Sequence, residues 1–455
     1  MQASRSARAV ILRDDHGAPY RGRGLRRIAR RLNQTFGAQI LGLIEPFVVL
    51  TARCWRTLLW RTTVIGVTGS VGKTTAKESI AGILSTHGRT FKSYRNQNGG
   101  LSVALNVLRI RPWHRYAVLE IATTQAGEML RATRIARPDI RVVLNVKSTH
   151  TNFFLTLDDI AREKAQFLAG IGRKQIAVIN VDDSRVAKMS EGKSCGVATF
   201  GVASTADLQA SLSSSVWPSR LSFKVRHGNE SANVETQLVG EHWIPSALAS
   251  IAVAVECGMN LTDAAAALQQ VEPFPGRMQP VQVPSGAIFL RDDYLNSLGT
   301  LGPALKVLKD AGAERKVIVI SDLMDAPHTS PRERQRQMGY DCAQVADLLV
   351  FVSAAAEHAA SGAIDADRIH SFKDRQQAAD YLRTELRDGD LVLLKGETRD
   401  HLARLFFEQL GKVSCWKNIC GKNMLCDICW ELGLPPSDMG KGVVITAPAK
   451  QLSAP

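Results

Sequence analysis

The stretch Val64-Ile-Gly-Val-Thr-Gly-Ser-Val-Gly-Lys-Thr-Thr75 runs an apolar strand into a glycine-rich turn that ends on a lysine and two hydroxyls. A chain cradles phosphates in this way: loop N–H groups face outward, a lysine reaches the β- and γ-phosphates, and the hydroxyl after it takes a Mg²⁺. Gly69, Ser70, Val71, Gly72, Lys73, Thr74 and Thr75 fill those places. A helix expected from Lys73 to Leu84 points its positive end at the same spot. The strict spacing would put a glycine at Val67, so the run stands as Gly66-x-Thr68-Gly69-x-x-Gly72-Lys73-Thr74-Thr75. The pattern implies a chain that uses a nucleotide, with Thr74 able to take a Mg²⁺.

Outward from this loop, strands and helices alternate as in a doubly wound parallel sheet. Tyr116–Ile121, Ile140–Val146 and Gln175–Asn180 read as strands, and Gln125–Arg134 and Leu157–Ala169 as helices. Ser204–Gly240 carries shorter alternating patterns suited to an antiparallel edge, and Ser246–Gly258 is an alanine-rich helix. Pro273-Phe-Pro-Gly-Arg277 has the composition of a hinge. Beyond it, Ala287–Arg291, Lys316–Ile320, Asp347–Val352 and Leu391–Leu394 read as buried strands. Helices Leu301–Ala311, Glu333–Gln344, Arg375–Leu386 and His401–Leu410 alternate with them. The expected fold is α/β: a P-loop central domain with a parallel sheet over 63–274, a smaller Rossmann-like α/β domain over 275–411, and a short Cys-rich tail over 412–455.

Residues 1–62 read as a basic arm and an amphipathic element. The formal net charge is +14, and much of it lies where Arg5, Arg8, Arg13, Arg21, Arg23, Arg26, Arg27, Arg30 and Arg31 face only Asp14 and Asp15. Such a run is a solvated or disordered arm, or a partner for anionic lipid, nucleic acid or an acidic protein. The stretch Ile40–Trp60 is apolar, but Glu45, Pro46, Arg53 and Arg56 interrupt it, so it is read as an amphipathic element, packed on the next domain in preference to lying at a membrane surface, rather than crossing a bilayer. No signal peptide is evident, which implies a cytoplasmic protein. No aromatic-basic motif supports a nucleic-acid partner, and none is expected.

Three polar residues stand where a site at the strand ends needs them: Glu120 closing a strand, His150 in the loop Lys147-Ser-Thr-His-Thr-Asn152, and Lys164 in the following helix. With the P-loop they belong to an ordered set of strings. These are Gly66–Thr75, Tyr116–Glu120 with Gly127-Glu128, Leu144-Asn145 leading to His150, and Glu163-Lys164. They continue with Val178–Asp183, Gly240-Glu-His242, Pro275-Gly-Arg277, Asp292-Asp293 with Asn296, and Leu394-Lys-Gly396. The set, spread over Thr63 to Leu410, resembles the Mur ligase family, the ATP-dependent amide ligases that build the peptide of bacterial cell walls.

The resemblance implies a role for each position. Lys73 and the loop amides hold the ATP phosphates; Thr74 and Glu120 hold a Mg²⁺; His150 serves a second Mg²⁺; Lys164, carbamylated, orients metal. Arg277 and Asp293 close over the nucleotide, and Asn296, Lys395 and Arg399 meet the incoming amine. The implied reaction joins a carboxylate to an amino acid or peptide amine through an acyl phosphate.

Three departures accompany the resemblance. Trp243 and Ser246 stand where the family has asparagines near the adenine, Leu298 stands for a second asparagine, and residues 1–62 lack the βαβ pattern of a UDP-substrate domain. They leave an atypical acceptor site, a substrate domain supplied by a protein partner, and, as the alternative function, a non-catalytic ATP-binding relative acting as subunit or regulator. Finally, Cys415, Cys420, Cys426 and Cys429 form C-x4-C-x5-C-x2-C, read as a structural Zn²⁺ site, as free thiols in a packed hairpin, or as a redox or Fe–S centre.

Overall fold

The computed structural model describes residues 44–94, 99–123, 125–148, 156–323, 330–359, 366–417, 420–422, 424–434 and 443–444. A helix over residues 44–58 (α1) precedes the first sheet. There follow β1 (Thr63–Thr68), α2 (Lys73–Ser85), β2 (Thr90–Lys92), α3 (Gly100–Arg109), β3 (Tyr116–Glu120), α4 (Glu128–Ala136), β4 (Ile140–Val143), α5 (Leu157–Ala165), β5 (Ile176–Asn180), α6 (Ser184–Ala187) and β6 (Gly196–Gly201). Then come β7 (Leu208–Ser214), β8 (Ser222–His227), β9 (Glu230–Glu235), α7 (Ile244–Glu256) and α8 (Leu261–Gln269). The sheet order is β2-β3-β1-β4-β5-β6-β7-β8-β9, parallel as far as β7 and antiparallel from β7 to β9.

Strand β1 therefore lies between β3 and β4, at the point where the chain changes direction across the sheet. Ligands of open α/β sheets bind outside the carboxyl ends of strands at such a switch point. Helix α7 is buried nearly all round, which its alanines and serines permit: Ser246 and Ser250 approach α2 closely enough to donate to Gly72 O (3.2 Å) and Ala76 O (3.4 Å). Helix α5 starts on a capping box in which Thr156 and Asp159 satisfy each other's backbone N–H, and this fixes the helix that carries Lys164.

The second sheet is built from β10 (Gln279–Gln282), β11 (Ile288–Asp292), β12 (Arg315–Ile320), β13 (Leu348–Val352), β14 (Ile369–Phe372), β15 (Asp390–Lys395) and β16 (Val443–Val444). Its helices are α9 (Leu298–Asp310), α10 (Pro331–Ala343), α11 (Arg375–Glu385) and α12 (Ala403–Leu410). The order is β14-β13-β12-β15-β11-β10-β16, parallel except for the antiparallel β10 and β16. The segment after α12 joins this core: Val413, Cys426, Leu432 and Leu434 pack in one cluster with Phe406, Phe407 and Leu394.

Helix α1 packs on the first sheet's helical layer, as the interrupted apolar pattern implies. Ala52 and Leu59 are fully buried there, Trp55 Nε1 donates to Ile110 O at 2.9 Å, and Arg56 pairs with Asp139 at 2.8 Å. Among the described residues no helix is long and apolar enough to cross a membrane.

Candidate active site

The loop between β1 and α2 turns through Gly69 (φ 157°) and Gly72 (φ 83°). Gly72 sits in the left-handed region, and a Cβ there would fall 2.6 Å from Ser246 Oγ, so only glycine fits. It is also the N-cap of α2, whose first turn has neither a side-chain cap nor an acidic residue. The helix's positive end is thus left open to an anion.

Asn145, just beyond β4, holds the loop in shape. Its Oδ1 accepts from Ser70 N (3.1 Å) and Val71 N (3.0 Å), and its Nδ2 donates to Val71 O (3.1 Å). Ser70 Oγ and the Lys147 backbone complete the brace, each donating to the other at 2.9 Å. The sequence reading quoted Asn145 without assigning it this work. An amide among apolar residues at a strand end was the available signal.

Lys73 Nζ donates to Gly69 O (2.8 Å) and Ser70 O (2.9 Å), and Lys164 Nζ reaches Gly69 O at 3.1 Å. Two lysines, Lys164 buried and Lys73 half-buried, therefore share one turn of backbone. Burial pulls Lys73 down to about 8, with Glu120 opposing and Arg277 adding to the fall. Burial, and then the Lys73 charge, bring Lys164 to about 7, against Glu163. Glu163 itself is engaged at the start of α4, accepting from Gly127 N and Met129 N at 2.9 Å each.

Thr74 Oγ1 donates to Glu120 Oε2 at 3.0 Å, and both side chains are 2% exposed. A hydroxyl and a carboxylate beside a phosphate loop form a hard-oxygen pair suited to Mg²⁺. Thr75 Oγ1 is buried close by with no protein partner. These features fit a nucleotide with its metal. His150 lies outside the described residues.

The second domain contributes Arg277 and Asp293. Arg277 stacks 4.1 Å from the Tyr294 ring with its Nε unpaired, and its charge is felt at Lys73. Asp293 is 3% exposed; its Oδ2 accepts from Arg291 Nη2 (3.2 Å) and its Oδ1 has no protein partner. Burial raises the Asp293 carboxyl above its usual range, against the pull of Arg291.

Arg291 is gripped from the other side by Asp427, at 2.6 Å and 3.0 Å in a two-pronged pair, and lies over the Phe406 ring at 4.7 Å. The sequence reading missed both Arg291 and Asp427. A carboxylate inside Cys426-Asp-Ile-Cys429 was the available signal.

The three residues assigned to the amine differ in setting. Lys395 Nζ is fully buried on Asp292 Oδ2 (2.6 Å), Leu295 O (2.7 Å) and Thr300 Oγ1 (3.2 Å). Asn296 donates to Ser321 O (3.0 Å) and Asp322 O (3.2 Å), leaving a buried, unpaired Oδ1. Arg399 is exposed and paired with Glu397 at 2.8 Å. Of the departures noted above, Ser246 donates to the P-loop at Gly72 O. Trp243 packs against His242 (4.6 Å between rings), whose imidazole burial lowers to about 4.

Cys415, Cys420, Cys426 and Cys429 line one cavity of about 10 Å³ together with His401, Arg404 and Lys422. Cys426 Sγ lies 3.4 Å from His401 Nδ1, and Lys422 Nζ donates to Cys429 Sγ at 3.5 Å. Among the described residues, no three His, Cys, Asp or Glu side chains are arranged to hold a metal ion.

Comparison with known proteins agrees with this geometry. Residues 67–254 match the Mur ligase middle domain and residues 276–398 the Mur ligase glutamate ligase domain. The UDP-N-acetylmuramoyl-tripeptide–D-alanyl-D-alanine ligase of Escherichia coli is 30% identical over 286 residues, covering 61% of this chain and 63% of that one. The ligase of the same name from Mycobacterium bovis is 28% identical over 386 residues, covering 80% of this chain and 75% of its own. The chain thus spans less than two thirds of the E. coli ligase's length. The crystal structure of MurF from Acinetobacter baumannii superposes with a TM-score of 0.74 at 26% identity, covering 80% of each chain. With both domain models matched in order and the phosphate loop, the buried lysines and the Thr74–Glu120 pair assembled at the switch point, this chain belongs to the Mur ligase family, and its relatives here are the D-alanyl-D-alanine-adding ligases.

Proposed function

We propose that the protein is an ATP- and Mg²⁺-dependent ligase that joins a carboxylate to the amine of D-alanyl-D-alanine or a similar dipeptide, as the names of its relatives suggest. One observation carries the reading: Lys73 and the buried Lys164 meet at Gly69 O beside the Thr74–Glu120 pair. The Lys73 ammonium, the open amino end of α2 and the hydroxyl–carboxylate pair converge on one loop, which suits an anion carrying a hard metal ion.

Lys73 and the amides of residues 69–75 would hold the phosphates, and Thr74 and Glu120 the Mg²⁺, which supplies charge neutralisation on the phosphate oxygens. His150 would take part in a second metal site. The acceptor carboxylate attacks the γ-phosphorus, the bond to the ADP oxygen breaks, and an acyl phosphate results. The amine nitrogen then attacks the acyl carbon, phosphate leaves, and the nitrogen loses a proton as the amide forms. Lys164, with its depressed pKa, has an appreciable neutral fraction near pH 7–8, and a neutral amine can take up CO₂ as a carbamate. Arg277 and Asp293 would clasp the nucleotide, and Asn296, Lys395 and Arg399 would border the amine.

The acceptor is the open end of the proposal. A muramoyl peptide is one substrate, and a lipid-linked or polymeric carboxylate, or one delivered by a protein partner, is the other. We also assign a cytoplasmic location, with the basic arm suited to an anionic membrane. The four tail thiols, which line one small cavity without, among the described residues, the arrangement of a metal site, fit the reading of free cysteines in a packed hairpin rather than a structural Zn²⁺. Metal analysis of purified protein tests this: a metal-free protein supports it, and a stoichiometric zinc lost in Cys415→Ser removes it.

The function itself is tested by ADP release with Mg-ATP, muramoyl peptides or other carboxylates, and D-alanyl-D-alanine or other amines, with products identified by mass. An amide formed only with ATP is the expected result. Tight ATP binding with no product on any pair would transfer the reading to a non-catalytic relative, which no feature of the site favours at present.

A further inference from the structure

Helix α1 is apolar on two faces, and only one is covered. Ala52 and Leu59 are buried on the domain, with Val48, Val49 and Trp55 packed beside them. The opposite face presents Ile44 (48% exposed), Phe47 (72%), Leu50 (60%) and Leu58 (62%), with Trp60 (74%) just past the helix end. Ile44, Phe47, Thr51, Cys54 and Leu58 recur at helical spacing, so they form one outward stripe. Apolar side chains grouped on one helix face are normally covered, and among the described residues nothing covers this one.

The surroundings say what the cover is. Trp113, 61% exposed, sits in the loop that Trp55 and Thr62 tie to the helix end, through Ile110 O at 2.9 Å and His114 O at 2.7 Å. The side chains of Arg53, Arg61, Arg109 and Arg111 are exposed on the same stretches of chain, with Arg61 over the Trp60 ring at 4.5 Å. The only acidic residue between 44 and 62 is Glu45, and it is paired with Arg131 at 2.7 Å. Residues 1–43, which lead directly into the stripe, carry the nine arginines against two aspartates.

Apolar and aromatic side chains rimmed by arginines match the boundary between acyl chains and anionic headgroups. A two-fold contact between copies would instead set these same arginines against one another. We propose that this face, Ile44, Phe47, Leu50, Leu58, Trp60 and Trp113, docks on an anionic lipid surface. Trp60 and Trp113 lie at the amino-terminal edge of β1 and β3, whereas the phosphate loop lies at the carboxyl edge. The docked enzyme therefore keeps its site turned toward solvent. The inference deepens the membrane reading of the arm but assigns the contact to the folded domain.

The test is co-sedimentation of the full chain with vesicles of phosphatidylcholine alone or mixed with phosphatidylglycerol, comparing wild type with Phe47→Ser/Leu58→Ser/Trp60→Ser. The arm is intact in both, and no substituted residue belongs to the catalytic machinery. Expected are binding of wild type to the mixed vesicles and a loss of roughly tenfold or more in the variant, with unchanged melting and unchanged ADP release without vesicles. In a parallel series, Trp60→Phe should lose part of the emission quenching by brominated lipid.

Equal binding of wild type and variant would overturn the proposal in favour of the arm alone. A wild type that ignores both vesicles but forms a dimer broken by the variant would overturn it in favour of a second copy. Since neither readout requires ligase turnover, failure of the proposed reaction leaves this result standing, and the reverse also holds.

Discussion

In the central domain, Lys73 and Lys164 are buried on the carbonyls of Gly69 and Ser70, while in the second domain Lys395 is buried on Asp292 and Arg291 between Asp293 and Asp427. The pKa directions follow. Lys73 of the loop and Lys164 of α5 fall to about 8 and about 7, chiefly through burial. Arg291 is held above its usual range because two carboxylates outweigh its burial. In one half of the site the lysines face only backbone carbonyls; in the other every named cation is paired with a carboxylate. Binding free energy is thus concentrated at the loop, and shape is maintained at the clasp.

The comparison breaks most visibly at Asp427. Asp427→Ala leaves the Arg291 guanidinium with a single carboxylate in an apolar setting, and urea denaturation should report a loss of about 3–5 kcal/mol. Asp427→Asn should lose less, since it retains one acceptor. At the loop the contrast is catalytic: Lys164→Ala should lower ADP release by roughly 10²–10³-fold with ATP binding retained, read by calorimetry. A variant with unchanged turnover would remove Lys164 from the reaction.

Gly72→Ala must place a Cβ at φ 83° and 2.6 Å from Ser246 Oγ. The expected loss is about 1–2 kcal/mol of stability with weaker ATP binding, and little of either would show that the loop reshapes easily. A further difference is in pH. Lysines with depressed native pKa values are less protonated in the folded chain than in the unfolded one between about pH 7 and the ordinary lysine range. Stability of the ligand-free protein should therefore rise with pH across that window, by less than about 1.4 kcal/mol per unit for each lysine. Lys164→Met should have a shallower slope, and equal slopes would contradict the burial of that charge.

The elements and the loop were legible because their signals are local. Alternating apolar runs bounded by glycine and proline gave strands such as Tyr116–Glu120 and Arg315–Ile320 to within a residue or two. The end of α5 was overestimated because its last turn tightens into a 3-10 helix over Gln166–Leu168, which keeps the same apolar pattern. What stayed hidden was set by distant contacts. No spacing rule joins Asp427 to Arg291, 136 positions earlier, or places Asn145 against a loop 74 positions before it. Nor does periodicity distinguish the covered face of α1 from the bare one.

The Arg291–Asp427 pair also bears on where the chain can be cut. The matched family domains end at residue 398, and trimming an expression clone soon after α12 would look harmless. Such a clone would lose Val413, Leu432 and Leu434 from the core and strip the counter-ion from a guanidinium that lies against Phe406 and Phe407. Shortened proteins should therefore be insoluble or inactive for a reason unrelated to substrate recognition. A crystallographer or enzymologist choosing end-points should retain the chain through at least Leu434.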